Sequence, residues 1–165
     1  MLFFLFGHPG CGKNYVGEIF RDFFGFYFYD GDEQLTAGMK EIMKIEILPY
    51  DLREEFYERV VEEVVELDKR HDKLVISQAL PFQKHRDLIL EDLPHAKFLW
   101  IKADPNLIQQ RLSHRAGHHV DSDYSKRLQK VFEPPYSDIS IIVNNTDQES
   151  VIEQIKNNIL TFSRM

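Results

Sequence analysis

The N-terminal run Met1-Leu-Phe-Phe-Leu-Phe-Gly7-His8-Pro9-Gly10-Cys11-Gly12-Lys13-Asn14 decides the fold. Leu2 to Phe6 read as a short buried strand that ends in a glycine-rich turn carrying one lysine. Gly10 and Gly12 permit backbone angles closed to other residues, so successive N–H groups can converge on an anion. A helical pattern follows, with Tyr15, Val16, Ile19, Phe20 and Phe23 on one side, and it adds the positive end of its dipole. Gly7, four residues, Gly12 and Lys13 make the P-loop pattern: Gly7 to Asn14 (Gly7, His8, Pro9, Gly10, Cys11, Gly12, Lys13, Asn14) form the nucleotide cradle, and the Lys13 ammonium reaches the β- and γ-phosphates. Asn14 departs from the pattern, which asks for a serine or threonine hydroxyl to hold magnesium. Its amide oxygen is the substitute ligand, directly or through water.

Working outward, 165 residues suffice for one domain with a full core, and residues 1–165 are read as a single unit, monomeric or homodimeric. A net charge of −7 excludes a basic nucleic-acid face, so any anion site is local. One cysteine forms no internal disulfide, and the first apolar run is too short to span a membrane and lacks a leader pattern. The cytoplasm, where ATP is available, is the expected compartment. Cys11, inside an electropositive loop, would have a lowered thiol pKa and be a point of oxidative inactivation.

A helix is expected from about Lys13 to Phe23, stopped by Gly25, then a second strand over Phe26 to Tyr29. Asp30-Gly31-Asp32 falls at that strand's end, the edge where ligands sit in open α/β sheets. One carboxylate, Asp30, suits hydrated magnesium and the other, Asp32, a substrate hydroxyl; the alternative is an acidic turn with Asp32 capping the next helix. Residues 33–50 read as a substrate-side flap. Asp51 and Glu54 read as a capping box for a helix through about Lys69, with Arg53 in its first turn. A cation there opposes the helix dipole, so it either meets a substrate anion or is simply exposed.

Lys73 to Ser77 reads as the third, central strand. Lys84, His85 and Arg86 follow near its carboxyl end, either to grip an acidic substrate or phosphoryl group or as a solvated helix face. Lys97 to Ile101 is strand four, and Asp104-Pro105 opens the next helix as N-cap and N1. Arg111 and Arg115 are four apart and share a helix face, which suits a lid over phosphates at about 115–135 as well as an ordinary charged helix. His118-His119 has no ligand spacing that makes a metal site. A polar stretch leads to Glu133-Pro-Pro135. Ile139 to Val143 is strand five, the turn Asn144-Asn145-Thr146 suits a purine, and Thr146 with Glu149 caps a last helix through Leu160.

Five strands alternating with helices give an α/β, three-layer P-loop plan: a five-stranded parallel sheet with helices on both faces and a small lid. The residues also resemble the gluconate kinases, relatives of the shikimate and nucleoside monophosphate kinases. The resemblance runs through Asp30-Gly31-Asp32, Asp51-Leu52-Arg53, Ser77-Gln78-Ala79-Leu80 leading to Lys84-His85-Arg86-Asp87, and Arg115-Ala-Gly117-His118 with Glu133-Pro-Pro135. It implies ATP- and Mg2+-dependent phosphorylation of a small sugar acid. By it, Lys13, Asp32 and Arg115 are catalytic; Arg111 and Arg115 also hold the nucleotide; Asp32, Arg53, Lys84 and Arg86 meet the substrate; Asn14 and Asp30 serve the metal. The chain departs from the family at Asn14, at His119 and over Asp121 to Leu128, which leaves shikimate, nucleotides or another metabolite as acceptors, and also a degenerate kinase that binds nucleotide without transfer.

Overall fold

The computed structural model describes residues 1–114, 120–136 and 139–163. Strands β1 (Leu2–Phe6), β2 (Tyr27–Asp30), β3 (Leu74–Ser77), β4 (Lys97–Lys102) and β5 (Ser140–Val143) form one parallel sheet in the order β2-β3-β1-β4-β5. The central strand is therefore β1 and not β3. All five of its residues are buried, which explains its unbroken apolar run: a strand covered on both faces has no polar side.

Alternation along β1 sorts the two cores. Leu2, Phe4 and Phe6 enter one cluster with α3 (Tyr50–Asp68), while Phe3 and Leu5 enter another with α1 (Lys13–Phe24) and α7 (Gln148–Phe162). Helices α2 (Ala37–Met43), α4 (Gln83–Asp92) and α6 (Ser122–Gln129) add Met39, Met43, Ile89, Tyr124 and Leu128 to the first cluster. Helix α5 (Pro105–Ser113) leans Ile108 on the second. Three layers result, and the sheet order reverses direction at β1, placing a crevice at the carboxyl ends beside the glycine-rich loop.

Several local expectations change. Strand β2 ends on Asp30 rather than Tyr29, and Asp30, not Asp32, caps the following 3-10 turn Gly31–Gln34 by accepting from Asp32 N at 3.0 Å. The capping box at Asp51 and Glu54 does not form: α3 starts at Tyr50 behind Pro49, and the Glu54 carboxylate is drawn to Lys84 and His85 on α4. Asp147 rather than Thr146 caps α7, accepting from Ser150 N at 2.8 Å. The polar stretch after 120 contains α6, capped by Asp121, which accepts from Asp123 N and Tyr124 N. Asp104 and Pro105 open α5 as expected. Among the described residues no helix is long and apolar enough to cross a membrane.

Candidate active site

The glycine-rich loop owes its shape to close backbone approach. Gly12, at φ +93°, ends the loop and precedes α1; a Cβ there would lie 2.1 Å from Asn144 Nδ2. Gly7, at φ +146°, would meet Ile101 O at 2.4 Å. No side chain fits at either place. Lys13 Nζ donates to Gly7 O at 3.0 Å and His8 O at 3.1 Å, which sets the ammonium across the arc of the loop.

The loop is braced from β5 and α5. Buried Asn144 donates through Nδ2 to Cys11 O at 2.9 Å. Arg111 donates to Gly10 O, Cys11 O and Asn144 O at 3.4, 3.3 and 3.1 Å. Asn144 was legible only as part of a turn; its bracing role joins residues 133 positions apart. His8 packs its ring 4.3 Å from that of Phe132, and burial, then the Lys13 charge, hold its pKa below the usual histidine value. Cys11 is buried, with Lys13 Nζ 4.0 Å from its sulfur, and burial shields the thiol from the oxidants expected from its loop position.

One cavity of about 1450 Å³ runs from this loop across the sheet edge. Pro9, Gly10, Gly12, Lys13, Asn14 and Arg111 line its loop end. Asp30, Asp32 and Ser77 also line it, as do Lys40, Arg53, Tyr57 and Tyr124. Arg53 stacks its guanidinium 4.3 Å above the Phe82 ring centroid and donates to Leu48 O at 3.3 Å. Its buried Nε has no hydrogen-bond partner among the described residues. Burial, followed by the nearby Asp32 carboxylate, pushes the Tyr124 hydroxyl well above the usual tyrosine value, and burial does the same at Tyr57. Both hydroxyls therefore keep their protons and can donate.

Asn14 bridges two strand ends. Its Nδ2 donates to Asp30 Oδ2 at 2.6 Å, and its Oδ1 accepts from Ser77 Oγ at 2.5 Å. A carboxylate and a hydroxyl beside a phosphate cradle suit magnesium, which takes hard oxygen ligands and needs only one or two from protein when phosphates and water complete its shell. These residues fit the metal.

Two expected substrate residues lie elsewhere. Lys84 is exposed, donating to Tyr50 Oη at 2.7 Å and to Glu54 at 2.5 Å. Arg86 is 1 % exposed and donates to Leu80 O at 2.6 Å, Glu133 O at 2.7 Å and Gln83 Oε1 at 2.8 Å. It holds Leu80, a non-glycine residue at φ +44°, and pins the Glu133-Pro-Pro segment to the loop after β3. Arg115, Gly117, His118 and His119 lie outside the described residues. Lys40, Tyr57, Ser77 and Tyr124 join the site without having been singled out as site residues, and Asn144, expected in a turn suited to a purine, braces the loop; of the four, Ser77 alone had a usable signal, its place at a strand's carboxyl end.

The profile of the shikimate kinase family matches residues 9–163. The chain belongs to that family. It is thus a P-loop kinase, a phosphotransferase acting on a hydroxyl. Within the shikimate kinase family setting, the chain is 29% identical over 162 residues to the thermosensitive gluconokinase of Escherichia coli K12, covering 96% of this chain and 87% of that one. A sugar kinase from Janibacter sp. HTCC2649 shares the fold at TM-score 0.79 and 22% identity, covering 98% of this chain and 93% of its own. A gluconokinase from Sinorhizobium meliloti 1021 does so at TM-score 0.74 and 20% identity, covering 99% and 97%.

Proposed function

We propose that this chain transfers the γ-phosphoryl group of ATP to a hydroxyl of a small polyhydroxy carboxylate, gluconate first, in the cytoplasm. The observation that carries the reading is the continuity of the cavity: the loop with Lys13, Asp32 and Arg53 all line the same space. A guanidinium with an unused donor suits a carboxylate, and neutral tyrosine hydroxyls suit a polyol.

Lys13 and the loop N–H groups hold the phosphates and stabilise charge on the transferring group. Asp32 accepts the proton of the attacking hydroxyl. Arg53 orients the acceptor by its acid group, which brings the hydroxyl into line with the phosphate. Arg111 keeps the loop in shape through its bonds to Gly10 O, Cys11 O and Asn144 O. Asp30 and its neighbours would hold magnesium, which would supply positive charge against the phosphates.

The likeness to gluconokinase favours gluconate, and the family match favours shikimate as the second acceptor. ADP release measured with gluconate, shikimate and nucleoside monophosphates in parallel tests the reading. Gluconate-dependent release supports it, shikimate-dependent release selects the second acceptor, and ADP binding without release for any acceptor refutes transfer.

A further inference from the structure

We infer that Ser77 supplies to the nucleotide-bound magnesium the hydroxyl that the residue after the P-loop lysine ordinarily supplies, with Asn14 as a positioning residue. The inference rests on the reading that this cavity takes a nucleotide with a divalent cation. Strands β2 and β3 are paired so that Asp30 stands opposite Ser77, and β1 and β3 so that Leu5 stands opposite Ser77. Ser77 therefore ends the strand flanked by the acidic turn on one side and the phosphate loop on the other.

Asn14, in the first turn of α1, spans that gap with one carboxamide. Its orientation follows from chemistry. An ionised carboxylate only accepts hydrogen bonds, so the group facing Asp30 Oδ2 at 2.6 Å is the Nδ2 donor. The oxygen is then turned to Ser77 Oγ at 2.5 Å, where it accepts the hydroxyl proton. The one Asn14 atom able to ligate a cation already gives one of its two lone pairs to the Ser77 hydroxyl, and the atom beside Asp30 is an N–H donor that cannot ligate one.

Ser77 is in the opposite state. Its proton is directed at Asn14 Oδ1, so its oxygen lone pairs remain for a hard cation. The side chain lines the cavity together with Lys13, Asn14 and Asp30 although the residue is 1 % exposed. Asp30 is held as well, since its Oδ1 accepts from Asp32 N at 3.0 Å. The hydroxyl missing from position 14 has thus reappeared at the end of β3, and Asn14 fastens it beside the carboxylate.

Mn2+ titration followed by electron paramagnetic resonance, with ADP present and no acceptor, reads the metal site without turnover. Ser77→Ala is expected to weaken Mn2+ binding to the ADP complex at least about tenfold, and further than Asn14→Ala does. A smaller loss, or one matched by Asn14→Ala, overturns the inference and returns the ligand role to Asn14. Metal-free ADP binding by calorimetry reports whether each variant keeps its loop. Should Ser77→Ala not fold, Ser77→Cys decides: a thiol ligand raises the Cd2+ to Mg2+ affinity ratio over wild type at least about tenfold, and an unchanged ratio overturns the inference. If the wild-type protein binds no ADP with or without Mn2+, the nucleotide reading itself fails, a result distinct from intact ADP binding with an indifferent Ser77.

Discussion

Glu54 Oε1 lies 2.6 Å from His85 Nε2, and this contact ties α3 to α4. Because the carboxylate accepts, Nε2 carries the proton; Nδ1 is left buried with no partner among the described residues. Burial holds the His85 pKa below 6.5, against the raising effect of Glu54. Burial would raise the Glu54 carboxyl, but hydrogen bonds from Lys84 and His85 leave it below 4.5. The sign follows for each group. The unfolded chain binds the His85 proton more readily, so that contribution is complete above pH 6.5 and is lost as pH falls through the lower folded value. The Glu54 contribution is present above pH 4.5 and is lost as pH falls through its own depressed value. Thermal melts from pH 7.5 downward are expected to show Tm falling in those two windows. His85→Phe, which keeps the stack on Tyr57 at 4.0 Å, is expected to flatten the upper one.

Arg86 acts on the fold. Arg86→Met leaves the Leu80 and Glu133 carbonyls without their donor, at a cost of about 2–5 kcal/mol. Denaturant unfolding is expected to show that loss, with KM for the acceptor unchanged in protein that remains folded. A selective rise in acceptor KM at undiminished stability would return Arg86 to the substrate.

Arg53 is expected to behave in the reverse way. Removing a charge-assisted contact worth about 1.5–3 kcal/mol, Arg53→Ala should raise KM for an acidic acceptor roughly tenfold to a hundredfold. KM for ATP should stay put. Initial rates against each substrate separate the two.

Lys13→Ala and Asp32→Asn probe the chemical step. Losing Lys13 is expected to lower kcat about a hundredfold or more while far-ultraviolet circular dichroism stays unchanged. Asp32→Asn is expected to lower kcat by about two to four orders of magnitude with ADP affinity nearly intact. A change confined to ADP binding would remove Asp32 from the hydroxyl.

Gly12→Ala tests the cradle. The added methyl demands a strained φ of +93° and displaces Asn144 Nδ2, 2.1 Å away, from Cys11 O. Strain of about 1–3 kcal/mol is expected as a lower Tm, and ADP affinity measured by calorimetry should fall about tenfold or more.

By itself the sequence determined the P-loop, the strands in their order along the chain, the helix openings at Lys13 and at Asp104-Pro105, and the acidic turn. Each is written in a few adjacent residues: an apolar run buried on both faces, glycines where the backbone turns left-handed, a proline already shaped for a first helical turn. Tertiary structure alone decided which polar groups became a site. Glu54 has the spacing of a cap yet serves Lys84 and His85, 30 and 31 residues away; Arg86 has the chemistry of a substrate anchor yet is consumed by carbonyls. Register alone put Asp30 opposite Ser77 and so gave Asn14 two partners. Local backbone preference acts over a turn or a strand. A polar side chain commits to whichever partner best repays its loss of water, and that partner is brought near only when distant segments pack.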